Sequence, residues 1–241
     1  MSVLLDYFDK IYVINLPTRT DRKREMDEQL ARIDLSFDHP RVSLFAAIRP
    51  ADPGSFPSIG ARGCFSSHLE VLRDAQRNDL NRILIFEDDL DFAPGFAECS
   101  PRIVDTLAKR HWNLFYGGYE IDTVLASADA VDLSIIASEQ GVLTTHFLGV
   151  QKPTIGRLVE FMETLLSRPA GDPNGGPMHV DGAYTWYRRL NPEDVTLAAV
   201  PELGRQRSSR TDIHDLRWYD RLPLVRETVA GLRRMKNTIR S

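Results

Sequence analysis

The chain has 241 residues, 42% of them hydrophobic and 27% charged, with a formal net charge of −4. That length and composition belong to a globular protein able to bury a full core, and the charge excludes wholesale nucleic-acid binding. Only Cys64 and Cys99 occur, without metal-type spacing, which excludes a disulfide framework and points to a reducing compartment.

Near the N-terminus Asp6 and Asp9 interrupt the only apolar patch, a pattern that reads against a secretory signal there. Nor does any run approach the ~20 apolar residues of a membrane span. Ile11-Tyr12-Val13-Ile14-Asn15-Leu16 is β-rich and stops at Pro17, so it reads as the first strand. A helix follows, with Thr20 as its N-cap and Met26, Leu30 and Ile33 at helical spacing. Its first turn carries Arg19, Arg22, Lys23 and Arg24. Cations there oppose the positive end of the helix dipole, so they either meet a bound anion or form a solvated basic turn. Arg19 and Arg22 are the two expected to point at such an anion.

Residues 42–46 read as the second strand, and residues 49–63, rich in Pro, Gly and Ser, as a long loop of the kind used for lids and binding. Ser67-His68-Leu69-Glu70 fits a capping box, with Ser67 at the N-cap. His68, disfavoured as a cation in a first turn, reads as a hydrogen-bonding ring. Ile83-Leu84-Ile85-Phe86 is then a strand buried on both faces, and Glu87, Asp88, Asp89 and Asp91 crowd its carboxyl end. Ligands bind at that end of open α/β sheets. Four carboxylates in five residues suit Mg²⁺ or Mn²⁺ holding a phosphorylated substrate, and the plainer alternative is an acidic solvated turn.

A helix over residues 101–110 and a strand over 112–116 follow, the strand broken by Gly117-Gly118. Residues 142–150 alternate as a strand, and Pro153 opens a helix that ends before Pro169. After the Gly/Pro loop at 170–177, a further helix starts with Asp181 at or near its N-cap. Asp181 reads there as a cap, and Tyr184, Trp186 and Tyr187 as stacking surface or as core. Residues 195–200 form a last strand, and the polar run 204–212 an exposed loop able to fold over an anion. Residues 221–241 carry six cations against Glu227 alone, a net of +5 that leaves −9 for the first 220 residues. Beyond Pro223 their apolar residues mark a basic amphipathic helix, expected to dock on the domain, an anionic membrane surface or a partner.

The ordered series Tyr12-Val13-Ile14-Asn15-Leu16, Gly63-Cys64-Phe65-Ser66-Ser67-His68, Ile85-Phe86-Glu87-Asp88-Asp89, Trp112 to Gly118, His179-Val180-Asp181 and the 206–212 loop resembles glycosyltransferase family 25. The resemblance spans about 200 residues. It implies an α/β fold of the GT-A type, a Rossmann-like mixed sheet flanked by helices over residues 1–220, with the basic helix 221–241 appended. It also implies a metal-dependent, inverting transfer of a sugar, galactose among the candidates, from a nucleotide diphosphate-sugar such as a UDP-sugar. The acceptor would be a hydroxyl of a glycan or lipid-linked glycan, in lipopolysaccharide or other surface glycan synthesis, at a cytoplasmic or inner-membrane-peripheral location.

Residue by residue, the resemblance makes Glu87, Asp88 and Asp89 the Mn²⁺ or Mg²⁺ motif. Asn15, Arg19, Arg22, Ser67, His68 and Asp88 would line the nucleotide site, and Asp181 would be the general base on the acceptor side. Ser209-Arg210-Thr211-Asp212-Ile213 is more basic than the family's closing motif. Asp89-Leu90-Asp91 offers a second acidic register. The first is preferred because it leaves the buried strand directly, with Glu87 and Asp89 on one face. Two rivals stand beside this reading, a catalytically inactive binding protein with the same fold and a metal-dependent nucleotidyltransferase. The second should show a Gly-rich phosphate loop, and Leu16-Pro17-Thr18-Arg19 has none.

Overall fold

Ile83, Leu84, Ile85 and Phe86 lose all contact with solvent in the computed structural model, which describes residues 3–123, 125 and 133–207. In chain order the elements begin with α1 (Val3–Tyr7), β1 (Lys10–Asn15), α2 (Thr20–Ala31), β2 (Val42–Ala46) and α3 (Ile59–Arg77). Next come β3 (Arg82–Glu87), β4 (Leu90–Phe92), α4 (Phe96–Lys109), β5 (Leu114–Glu120) and β6 (Leu133–Ile135). The described chain ends with β7 (Leu143–Gln151), α5 (Thr154–Ser167), α6 (Val180–Leu190), β8 (Thr196–Ala199) and β9 (Gly204–Gln206).

Seven strands form one mixed sheet in the order β2-β1-β3-β7-β5-β8-β6, and β4 pairs β9 in a separate ribbon. The β1, β2 and β3 strands are mutually parallel, joined through α2 and α3. The direction reverses at β7, which runs antiparallel to both β3 and β5. Side-chain alternation divides the core into two layers. Tyr12, Ile14, Ile83 and Ile85 pack with α3, α5 and α6 through Phe65, Leu72, Leu158 and Tyr184. Ile11, Val13, Leu84 and Phe86 pack on the other side with Leu4, Met26, Leu30 and Ile103 from α1, α2 and α4, and with Trp112 just before β5. The expected Rossmann-like mixed sheet with helices on both faces is therefore the observed fold.

Several local expectations change. Thr20 is the first residue of α2, not its cap, and Arg19 stands at the N-cap without a side-chain cap bond. The loop after β2 closes earlier than its glycines imply, because α3 starts at Ile59, capped by Ser58 Oγ, which accepts from Ala61 N. Gly63 lies inside that helix, and the position takes glycine because a Cβ there would stand 2.6 Å from the Ile48 carbonyl oxygen. Ser67 is consequently in mid-helix, and the capping box is not used. Similarly, α4 begins at Phe96 and carries Pro101 within it. The β5 strand runs through Gly117-Gly118 with a register shift at the glycines. In α6 the N-cap is His179, and Asp181 is the second helical residue. The expected exposed loop at 204–212 starts instead as β9, pairing Leu90 with Gln206 and Phe92 with Gly204. Residues 208–212 of that loop and the basic helix expected at 221–241 lie outside the described residues.

Candidate active site

Parallel pairing of β1 and β3 sets Ile14 opposite Glu87, so both chains leave the sheet together at their carboxyl ends. Asp88 N donates to Ile14 O at 3.2 Å, which ties the acidic turn to β1. The Asp88 carboxylate accepts from Asn15 Nδ2 at 2.7 Å and from Arg22 Nη1 at 2.8 Å. Asn15 also donates to Arg19 O at 3.2 Å, linking the start of α2 to the same carboxylate. Asp89, 2% exposed, has Arg22 Nη1 at 3.5 Å and Gln206 Nε2 at 3.3 Å from Oδ2, and its Oδ1 is buried with no partner. Burial, then the charges of Glu87 and Asp88, push its carboxyl up to about 7 against the pull of Arg22 and Gln206.

Glu87 sits between α3 and β7. Its Oε1 accepts from Thr145 Oγ1 at 2.5 Å and lies 3.5 Å from His68 Nε2. Burial raises this carboxyl, but His68 and the Thr145 hydroxyl outweigh it and hold the group below the usual glutamate range. His68 is fully buried in the middle of α3, with Nδ1 3.2 Å from Tyr184 Oη. Beside it Ser67 Oγ donates to Gly63 O at 2.7 Å and accepts from Ile48 N at 2.9 Å. That hydroxyl fastens the segment after β2 onto α3. Burial, followed by the charges of Glu87, Asp181, Asp89 and Asp88, raises the Cys64 thiol well above its ordinary range. Asp181 therefore belongs to the same electrostatic neighbourhood, one turn ahead of Tyr184 on α6, although its own Oδ1 accepts from Gly182 N at 2.8 Å.

Above these carboxylates lies a cleft of about 460 Å³. Ile14, Leu16, Ile48, Pro50, Pro53 and Pro57 give it an apolar wall, while Arg22, Glu87, Asp88 and Asp89 form its charged floor. Arg19 is not among its lining residues. Its guanidinium donates to Asp21 at 2.9 to 3.3 Å, which lowers that carboxyl to about 2. Asp91 turns to the rim, where Arg207 Nη2 reaches it at 2.6 Å. Arg207 also bonds Glu25, and its backbone N donates to Asp89 O at 2.6 Å. The structure thus brings Arg22, Ser67, Glu87, Asp88 and Asp89 to one cleft, while Asn15 and His68 do not line it and join it through Asp88 and Glu87. Sequence reasoning gave no site role to Cys64, to Thr145 or to His146, whose charge acts on the Glu87 carboxyl, and it named Arg207 only within the polar run 204–212. Gln206 and Arg207 carried a signal, the polar run after the last strand, whereas Thr145 and His146 carried none.

A divalent cation fits the carboxylate cluster. Three acids converge beside the Arg22 guanidinium, and Oδ1 of Asp89 is buried without a hydrogen-bond partner. Hard oxygen donors of this kind match Mg²⁺ or Mn²⁺.

The model of glycosyltransferase family 25 (LPS biosynthesis protein) matches residues 8–131, the stretch that carries β1, α3 and the acidic turn. Among similar curated proteins is a probable inactive glycosyltransferase 25 family member 3 of Rattus norvegicus. It is 26% identical over 129 residues, 46% of this chain and 23% of that protein. Procollagen galactosyltransferase 1-A of Xenopus laevis is 30% identical over 129 residues, covering 46% and 21% of the two chains. The chain spans between a fifth and a quarter of the length of these relatives. Among solved structures, a glycosyltransferase involved in the glycosylation of the major capsid of PBCV-1 covers 84% of this chain and 93% of its own. Its TM-score is 0.48 at 12% identity.

Proposed function

The chain belongs to glycosyltransferase family 25, and on that premise we propose that it transfers a sugar from a nucleotide diphosphate-sugar to a hydroxyl of a glycan or lipid-linked glycan. The proposed donor is a UDP-sugar. Galactose is the proposed sugar, since galactosyltransferases are among the similar proteins. The proposed setting is lipopolysaccharide or other surface glycan synthesis. No helix among the described residues is long and apolar enough to cross a membrane. Peripheral attachment through the basic 221–241 segment is proposed from its charge alone.

The observation that carries the reading is the orphaned Oδ1 of Asp89 within three converging carboxylates, beneath a cleft with an apolar wall. Glu87 and Asp89 would hold Mn²⁺ or Mg²⁺, with Asp88 fixed beside them by Asn15 and Arg22. When bound, such an ion neutralises charge on a departing diphosphate. The protein's own groups do the rest. The apolar wall from Ile14 to Pro57 offers a face for the base, and Ser67 holds that wall to α3. His68 and Thr145 set the position of Glu87. The Arg22 guanidinium adds positive charge at the diphosphate end of the cleft. Asp181 is the proposed general base. The acceptor oxygen bonds to the anomeric carbon as the bond to the diphosphate oxygen breaks, with inversion, and the hydroxyl proton passes to Asp181.

The test is nucleotide release from a panel of UDP-sugars with and without Mn²⁺. Release that requires the metal is expected, together with its loss in Asp89→Asn. Asp181→Asn should slow turnover by about 10²- to 10⁴-fold while donor binding persists. Full activity in Asp181→Asn removes the base assignment. A second reading, a binding protein of the same fold without turnover, is favoured by the inactive family member among the similar proteins. Metal-dependent donor binding without release of nucleotide from any donor supports that alternative.

A further inference from the structure

Cys64 and His68 are four residues apart on α3, so their side chains share one helix face. That face meets the last residue of β3. Cys64 Sγ, one imidazole nitrogen of His68 and a carboxylate oxygen of Glu87 all lie within 4.8 Å of one another. We propose that these three side chains form a second cation site, built for a borderline-soft divalent ion such as Zn²⁺ and distinct in chemistry from the carboxylate cluster beside it.

Three observations carry this. The first is the donor set. Thiolate and imidazole favour Zn²⁺ over Mg²⁺ or Mn²⁺, which prefer carboxylate and water. The second is geometry. Tetrahedral Zn²⁺ with bonds of about 2.0–2.3 Å separates its ligand atoms by about 3.3–3.7 Å, and His68 Nε2 stands 3.5 Å from Glu87 Oε1. The third is the state of His68, which is fully buried with Nε2 facing Glu87 Oε1 at 3.5 Å, too far for a well-formed hydrogen bond, and with no hydrogen-bond partner of its own.

His68 is held from its far side, as ligands of metal centres are, since Tyr184 Oη lies 3.2 Å from His68 Nδ1. The Thr145 hydroxyl donates to Glu87 Oε1, the oxygen that faces His68 Nε2, and so fixes that donor atom itself. Cys64 and Glu87 both line the cleft, so an ion has a path from solvent and its fourth position opens toward that space. On binding, the Cys64 thiol proton leaves to solvent, since a coordinating thiol is deprotonated outright. Thiolate, carboxylate and neutral imidazole then balance the two charges of the ion. Because Glu87 belongs to both donor sets, an ion here draws that carboxylate away from Asp88 and Asp89.

Titration of the full chain with Co²⁺ tests the proposal without any turnover assay. Expected are one equivalent bound, a thiolate-to-cobalt charge-transfer band with tetrahedral visible bands, and their loss on adding Zn²⁺. Cys64→Ser should abolish the charge-transfer band and weaken binding at least about tenfold, with the fold checked by circular dichroism. Cys64→Ser is preferred to a His68 variant because a cleft-lining sulfur is replaced more gently than a fully buried ring. Cys99→Ser should leave the spectrum unchanged. A spectrum with no thiolate band overturns the proposal. So does a band lost in Cys99→Ser, or Co²⁺ binding lost in Asp89→Asn but kept in Cys64→Ser.

Discussion

Asp89→Asn should make this protein more stable at neutral pH while ending its metal response. In the folded state burial and the neighbouring acids push the Asp89 carboxyl up to about 7, from an ordinary value of 3.8. The folded chain therefore holds a proton that the unfolded chain has lost between those two values, and stability falls as pH rises through that window. Each tenfold gain in proton affinity is worth about 1.4 kcal/mol, so a rise of this size sets a ceiling of about 4 kcal/mol on the cost of ionising Asp89 above pH 7. Asparagine keeps the shape and removes that cost. By the same linkage, the advantage of the variant should grow by about 3 kcal/mol between about pH 5 and about pH 8. Urea unfolding of both proteins across that range, without added metal, measures the gap. Mn²⁺ should then close it from the other side. At a hundred times its dissociation constant it stabilises the parent by about 2.7 kcal/mol and leaves the variant where it was. A variant no more stable than the parent at pH 8, or a gap that does not change with pH, refutes the reasoning.

Arg22→Met should act in the opposite direction, because it strips the guanidinium from Asp88 and Asp89. Breaking a buried pair costs about 3–5 kcal/mol in urea unfolding at neutral pH, and a loss below about 1 kcal/mol would sink the assignment. Gly118→Ala would place a Cβ 2.3 Å from His146 Nε2 and 2.4 Å from Gly204 O. It should cost about 1–3 kcal/mol and lower the thermal midpoint, which an unchanged midpoint would contradict. Arg188→Met removes a fully buried guanidinium that donates to Thr196 Oγ1 and to the carbonyls of Ala137 and Gln140. With those acceptors left dry, the loss should be about 2–4 kcal/mol by denaturant titration, and a neutral result would show that water replaces the guanidinium.

The strands were legible where apolar runs were uninterrupted. Ile83 to Phe86 and Ile11 to Ile14 announce buried strands because every position faces one of two helical layers. Glycines misled in both directions. Gly63 and Gly117-Gly118 look like breaks, yet each sits where a neighbouring carbonyl or ring comes too close for a Cβ. That requirement arises from tertiary approach, which local spacing does not encode. The Ser67 capping box failed for the same reason, since the helix begins at Ser58 and Ser67 serves a contact 19 residues away at Ile48. The acidic turn was legible as a cluster. Its internal division was not. Which oxygen is capped by Asn15, which faces Arg22 and which is left dry depends on α2 and β9 folding back on the strand end.

The reversal at β7 explains why the acids are tolerated at all. Parallel β1 and β3 deliver their carboxyl ends to the same end of the sheet. A further parallel strand would continue in the same sense, but β7 runs the other way and pairs Phe147 with Phe86. The residues just before Phe147, Thr145 and His146, thereby come level with Glu87, and a hydroxyl reaches its carboxylate from within a strand interior. Asn15 and Arg22 serve Asp88 from the other side. Asp89 is left between them, with a donor on one oxygen and none on the other. A scaffold with no cation to bind would fold better with an amide there. A carboxylate with one unpartnered oxygen, placed where the sheet changes direction and beneath a cleft, costs stability once it ionises, a cost that a proton offsets below about pH 7 and that the proposed cation would offset above it.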